Sequence, residues 1–184
     1  MQCWRLDDAR QTLALASLSG GIPQVIYWGA PLPETDDLTV LARAQMADVT
    51  GGMLDANPDL SLCPEAARTF PGQPGLILRD TDGTPLLPRF KLTEVTAKPL
   101  SLAIICDDAE NALQWWAEVT LDPETHVLKL QSGVSAERPL HLHWLAAPVL
   151  PGPQLSDEMI DVAGRWTGEF QLNRTPWSPG IRYR

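Results

Sequence analysis

The stretch 113-LQWWAEVTL-121 decides the fold class. Its odd positions, Leu113, Trp115, Ala117, Val119 and Leu121, are all apolar, while Gln114, Trp116, Glu118 and Thr120 make up the other set. A period of two places the sets on opposite faces of a half-buried strand, with Trp115 inward and Trp116 on the far face. Ala109, Ala112, Leu113 and Trp116 also keep a helical period, but the alternation runs on through Val119 and Leu121, which favours the strand. Around this stretch lie LSLAIIC, HVLKLQSGV and PLHLHWLAAPV, giving four strands at the spacing of an antiparallel sandwich.

Earlier strands are expected over Gln11–Leu18 and Pro23–Trp28, and Asp82-Gly83 is a turn signal between Gly75–Arg79 and Arg89–Val95. With 17 Pro and 13 Gly spread along 184 residues, few windows are long enough for a helix. The clearest exception is Asp36–Val49, where Leu38, Leu41, Ala42, Gln45, Met46 and Val49 follow helical spacing, with Thr35 as cap and Gly51-Gly52 as stop. PVLPGP at Pro148–Pro153 closes the strand series, and one more extended segment is expected over Arg165–Arg174. The expected fold is mainly β, an antiparallel β-sandwich with one short helix.

Charge excludes one class of partner. The net charge of -9 argues against nucleic acid, because phosphate binding needs a basic face that releases counterions. The first 161 residues carry -12 and the remaining 23 carry +3, so a basic tail follows an acidic body. Three widely spaced cysteines, Cys3, Cys63 and Cys106, fit reduced thiols in a cytoplasmic protein. No stretch has the form of an export signal or a membrane span.

No local motif marks an active site. The doublets Asp7-Asp8, Asp36-Asp37, Asp107-Asp108 and Asp157-Glu158 read as caps and turns, since strand neighbours point to opposite faces and make poor catalytic pairs. His141 and His143 share a strand face but lack a third metal ligand, so no metal or cofactor is expected. Tryptophan is the informative residue: with 7 Trp against 2 Tyr and 3 Phe, the chain is rich in flat side chains suited to the C–H face of a sugar. Trp115 and Trp144 are expected in the core, Trp28 stands at a strand end, and Trp166 and Trp177 lie in the polar C-terminal stretch.

Three segments taken in order, YWGAPL at Tyr27–Leu32, the central WWAEVTLDPETHVLKLQSGV and the final RWTGEFQLNRTPWSPGIRYR, resemble the N-terminal domain of bacterial α-galactosidases (melibiases) of glycoside hydrolase family 36. The first has the aromatic-aromatic-Gly-x-x-Leu form, and the last has the Trp-x-x-Glu-x-x-x-x-Arg form that leads into the catalytic barrel. The resemblance implies a β supersandwich over residues 1–184, with 162–184 as the connection to a (β/α)8 barrel outside this chain. It implies a retaining enzyme whose catalytic aspartates belong to that barrel, so no catalytic residue is expected here and the chain alone is expected to be inactive.

Some tetrameric members close a neighbour's active site with a Gly-Asp-x-Arg-x-Pro-Ala loop of this domain. The matching region, Glu65–Leu76, keeps only the Pro-small element as Pro74-Gly75. By this resemblance Phe70 and Gln73, with Trp28, are candidates for substrate contact, and Trp166, Trp177 and Tyr183 for the domain interface. The implied partners are the barrel, a galactoside and a second copy in a homo-oligomer. Two other readings stay open: a free-standing sugar-binding module using exposed Trp, and a small mutarotase-like enzyme using the histidine pair.

Overall fold

The computed structural model describes residues 1–46, 59–152 and 156–177, which divide into two compact units, Met1–Leu150 and Pro151–Arg184. Among the described residues of the first unit, three antiparallel sheets and one short helix are built. Strands β1 (Gln2–Asp7), β2 (Thr12–Ser17) and β3 (Gln24–Gly29) form one sheet in that order, followed by α1 (Leu38–Ala44). A second sheet has the order β10-β4-β5, from β4 (Leu76–Arg79), β5 (Pro85–Leu86) and β10 (His141–Leu145). The third is a meander of β6 (Lys91–Lys98), β7 (Ser101–Asp108), β8 (Leu113–Leu121) and β9 (Leu128–Ala136).

The alternation in 113–121 does what it predicts. Along β8 the residues alternate buried and exposed at nearly every step, with Trp115 at 0% and Trp116 at 37% exposure. Leu102, Ile104 and Cys106 of β7 and Leu113, Trp115, Ala117 and Val119 of β8 meet Leu6, Leu13 and Leu15 of the first sheet in one core. That is a β-sandwich, closed where the second sheet adds Leu76 and Leu78.

Strand β2 is buried on both faces, and its sequence TLALAS shows why. Leu13 and Leu15 fill the sandwich, each contributing about 1.5–3 kcal/mol. On the reverse side Ala14 and Ala16 are small enough for α1 to approach and bury Ala42 with Ile26. The helix is shorter than its periodicity predicts: Asp37, not Thr35, caps it by accepting from the Thr39 amide, and Gln45 ends it with its Nε2 donating to the Ile26 carbonyl 2.5 Å away. Val49 and Gly51-Gly52 lie outside the described residues.

Three expectations need correction. Asp82-Gly83 does turn a hairpin, but the returning strand is only Pro85–Leu86, and after Pro88 the chain crosses to begin β6 in another sheet. Trp144 is 46% exposed rather than core, because the β10–β4 register slips between Leu142 and Trp144 and breaks the period of two. The single extended segment expected over Arg165–Arg174 is instead a hairpin in the second unit. Its strands β11 (Glu158–Ala163) and β12 (Gln171–Pro176) pair in continuous antiparallel register around a loop at 164–170.

Candidate functional site

Trp28 sits at the end of β3, opposite Leu13 of β2, with 45% of its surface open. Its Nε1 donates to Gln11 Oε1 at 2.9 Å, and Gln11 Nε2 donates to the His126 carbonyl at 2.6 Å. His126, held at φ +60 in the turn between β8 and β9, places Nδ1 2.9 Å from Asp8 Oδ2. Asp8 Oδ1 meanwhile accepts the amides of Arg10 and Gln11. Burial pushes the Asp8 carboxyl up, but those amides and His126 outweigh it and hold the group below its ordinary value. The indole N–H is thus held by a relay from the β1–β2 turn to the β8–β9 turn, with a little under half of the residue open to solvent.

Phe70 and Gln73 lie in the loop after a short 3-10 turn at Ala66–Arg68. The loop is anchored by a buried carboxylate. Glu65 Oε1 accepts the Phe90 amide at 2.7 Å and Oε2 accepts Arg68 Nε at 2.7 Å, while Arg68 also donates to the Phe90 carbonyl. Burial raises the Glu65 carboxyl above its ordinary value, against the Phe90 amide and Arg68, which pull it down. Thr69 takes the left-handed conformation, φ +61, and Phe70 folds over Gly72, where a Cβ would stand 2.6 Å from the ring. Gln73 is exposed.

The structure does not bring Trp28 and this loop together. Arg68 reaches Gly21, before β3 begins, whereas Trp28 stands near the end of β3, and the strand between Gln24 and Trp28 alone spans about 13 Å. The two candidates occupy opposite ends of the first sheet.

His141 and His143 are exposed and line a shallow groove with Arg79, Thr81 and Asp82. Among the described residues no group of three or more His, Cys, Asp or Glu is placed to hold a metal ion. Three of the acidic doublets serve as turns and caps as expected: Asp37 caps α1, and Asp8 and Asp108 each accept amides of the turn that follows, whereas Asp157-Glu158 runs into β11, where Glu158 pairs with Arg174. All three cysteines are free thiols, and burial pushes Cys63 and Cys106 up to about 12. No described helix is long and apolar enough to cross a membrane.

In the second unit, register puts Ile160, Val162 and Leu172 on one face of the hairpin, and all three are more than half exposed. The opposite face, carrying Met159, Asp161, Asn173 and Thr175, is the half-buried one. At the 164–170 loop, Trp166 is 89% and Phe170 88% exposed, beside positive φ at Thr167 and Phe170. Trp177 is half exposed and lies against Gly152. Arg174 pairs with Glu158 at 3.4 Å, so one charge of the basic tail meets an acid of its own hairpin. Tyr183 is outside the described residues.

A model of the glycosyl hydrolase family 36 N-terminal domain matches residues 21–184. The chain belongs to this family. The family 36 domain is 28% identical over 156 residues to an α-galactosidase of Escherichia coli, an alignment covering 82% of this chain and 21% of that protein. Its fold matches a Geobacillus stearothermophilus family 36 α-galactosidase, crystallised with raffinose, at TM-score 0.76 and 16% identity, over 98% of this chain and 29% of the other. A Lactobacillus brevis α-galactosidase matches at TM-score 0.73 and 15% identity, over 97% and 28%. The family 36 domain thus spans between a fifth and a third of the length of these relatives.

Sequence reasoning missed Gln11, His126 and Glu65. Their partners are 115 positions away for Gln11, 118 for His126 and 25 for the Glu65–Phe90 contact, and no local spacing reports such pairs.

Proposed function

We propose that this chain is the accessory N-terminal domain of an α-galactosidase acting on terminal α-galactosides, seated on a catalytic (β/α)8 barrel through the β11–β12 hairpin. In this reading residues 162–184 lead toward the barrel, and the domain shapes the mouth of its active site and supports a homo-oligomer. The observation that carries it is the apolar cluster on the hairpin's exposed face: beside the Glu158–Arg174 pair it bears Ile160, Val162 and Leu172, with Trp166 and Phe170 beyond. A two-stranded hairpin showing its apolar face to water is unfavourable by itself and marks a surface that another element covers. Trp28 and the Phe70–Gln73 loop, at opposite ends of one sheet, act in this reading at two separate contacts, one with substrate at the barrel mouth and one across a subunit boundary.

The test uses the full-length enzyme that carries this domain, assayed on p-nitrophenyl α-galactoside beside the 184-residue chain. Ile160→Asp with Leu172→Asp is expected to lower activity and release the domain to limited proteolysis, while the chain alone shows no hydrolysis. Hydrolysis by the chain alone, or a variant enzyme with unchanged activity and proteolysis, would overturn the reading.

A further inference from the structure

The outer face of the β6–β9 sheet carries one large aromatic side chain in a polar surround. Trp116 occupies its centre, opposite Ile105 on β7 and Gly133 on β9. The indole rests directly on Gly133: a Cβ there would stand 2.4 Å from both Cε2 and Nε1, so no other residue leaves room for the ring in this position. A glycine beneath a tryptophan presses one side of the ring to the sheet and leaves the other side open.

Beyond Ile105, the groups around that ring are polar. Along β8, Gln114 and Glu118 stand about 7 Å to either side of it. Across the ladder Asp107 is opposite Gln114, and Gln131 is opposite Glu118. Gln114 Nε2 donates to Asp107 Oδ1 at 3.0 Å, and Thr93 Oγ1 donates to Asp107 Oδ2 at 2.7 Å, which holds the amide beside the carboxylate. Two amides and two carboxylates offer mixed donors and acceptors to hydroxyl groups. The same face carries Glu94, Lys91, Lys98 and Lys129 by register, so acids and lysines balance and the surface favours a neutral ligand.

We propose that this face is a carbohydrate-binding platform. Trp116 stacks on the apolar C–H face of a neutral pyranoside, and Gln114, Gln131, Asp107 and Glu118 take the hydroxyls at its rim. The platform is independent of the docking hairpin and of Trp28, and it belongs to the domain itself whatever the attached barrel hydrolyses.

The experiment titrates the 15N-labelled 184-residue chain with methyl α-galactopyranoside and, separately, methyl α-glucopyranoside, up to about 50 mM. Saturable shifts of the Trp116 indole N–H and of the Gln114, Gln131 and Gly133 amides are expected, with Kd on the order of 1–10 mM for at least one sugar. Trp116→Ala weakens binding about tenfold or more, and Gly133→Ser does the same by displacing the ring without removing it. Trp144→Ala, at an exposed tryptophan on the β10-β4-β5 sheet, leaves it intact. The same spectra report folding, so if one variant unfolds the other carries the test. Absence of saturable shifts with both sugars, or shifts that survive Trp116→Ala and Gly133→Ser, would overturn the proposal. So would broadening of this face that depends on protein concentration without sugar.

Discussion

Strand β8 and the β11–β12 hairpin obey the same period of two and end in opposite circumstances. In β8 the apolar set meets a second sheet from the same unit, and Trp115 has no exposed surface. In the hairpin the apolar set Ile160, Val162 and Leu172 faces outward. Alternation therefore tells which residues share a face but not what lies opposite that face. What lies opposite β8 is supplied by Leu6, Leu13 and Leu15, about a hundred residues earlier. For the hairpin, the inference is that it comes from outside the 184 residues.

The comparison breaks if apolar residues of the two regions prove equally important to the chain. The largest effect is expected at Trp115→Ala, about 3–5 kcal/mol lost in urea unfolding, since it empties the centre of the sandwich. Trp115→Phe should lose clearly less, because it keeps an aromatic ring and removes a buried Nε1 that has no partner among the described residues.

Next in size is Ala16→Leu, about 1–3 kcal/mol, because β2 has no spare volume under α1. An unchanged unfolding midpoint would show that the helix does not seal that face.

The third effect is one of pH. Folding raises the Glu65 carboxyl by burying it, so the folded chain holds that proton to higher pH than the unfolded chain. The stability linked to this group is full below its ordinary value near 4.5 and declines as pH rises through the folded value. Glu65→Gln removes that slope, so the variant should gain on the wild type over the range where pH rises above the ordinary value near 4.5. A difference in urea midpoint that stays constant over that range would refute it.

The smallest effect is expected in the hairpin. Ile160→Thr and Leu172→Thr should change the stability of the 184-residue chain by about 0.5 kcal/mol or less. A loss as large as that of Trp115→Ala would mean the face is already covered within the chain, and the docking reading would fall.

Legibility followed the range of the interactions. Strands β7 to β9 could be read because each pairs with its sequence neighbour through a short turn, and their inward residues are uniformly apolar. The ends of α1 were misread because Thr35 and Asp37 both suit a cap, and only the approach of Ala14 and Ala16 from β2 selects where the helix begins to pack. Trp144 was misplaced because a bulge leaves no mark in a pattern of apolar letters. The β11–β12 hairpin was half seen: Arg165–Arg174 covers most of its second strand but not its first, which reads EMIDVA and mixes charge with apolar residues. The family resemblance rested on three segments, and the family model matches residues 21–184. The relay of Asp8, Gln11, Trp28 and His126 could not be read at all, since it joins a turn near residue 10 to one near residue 126.

The separation in sequence between the two halves of the sandwich has a consequence for how the chain is made. The β1–β3 sheet is built from three consecutive strands and can form as soon as they are synthesised, but the strand that covers Leu13 and Leu15 is about a hundred residues downstream. At roughly 5–20 residues per second, translation leaves that leucine face without its cover for about 5–20 seconds. During that interval the nascent chain presents a finished sheet with an open apolar side, which is the kind of surface a ribosome-bound chaperone shields, and slowing elongation between residues 30 and 110 would lengthen the exposure in proportion.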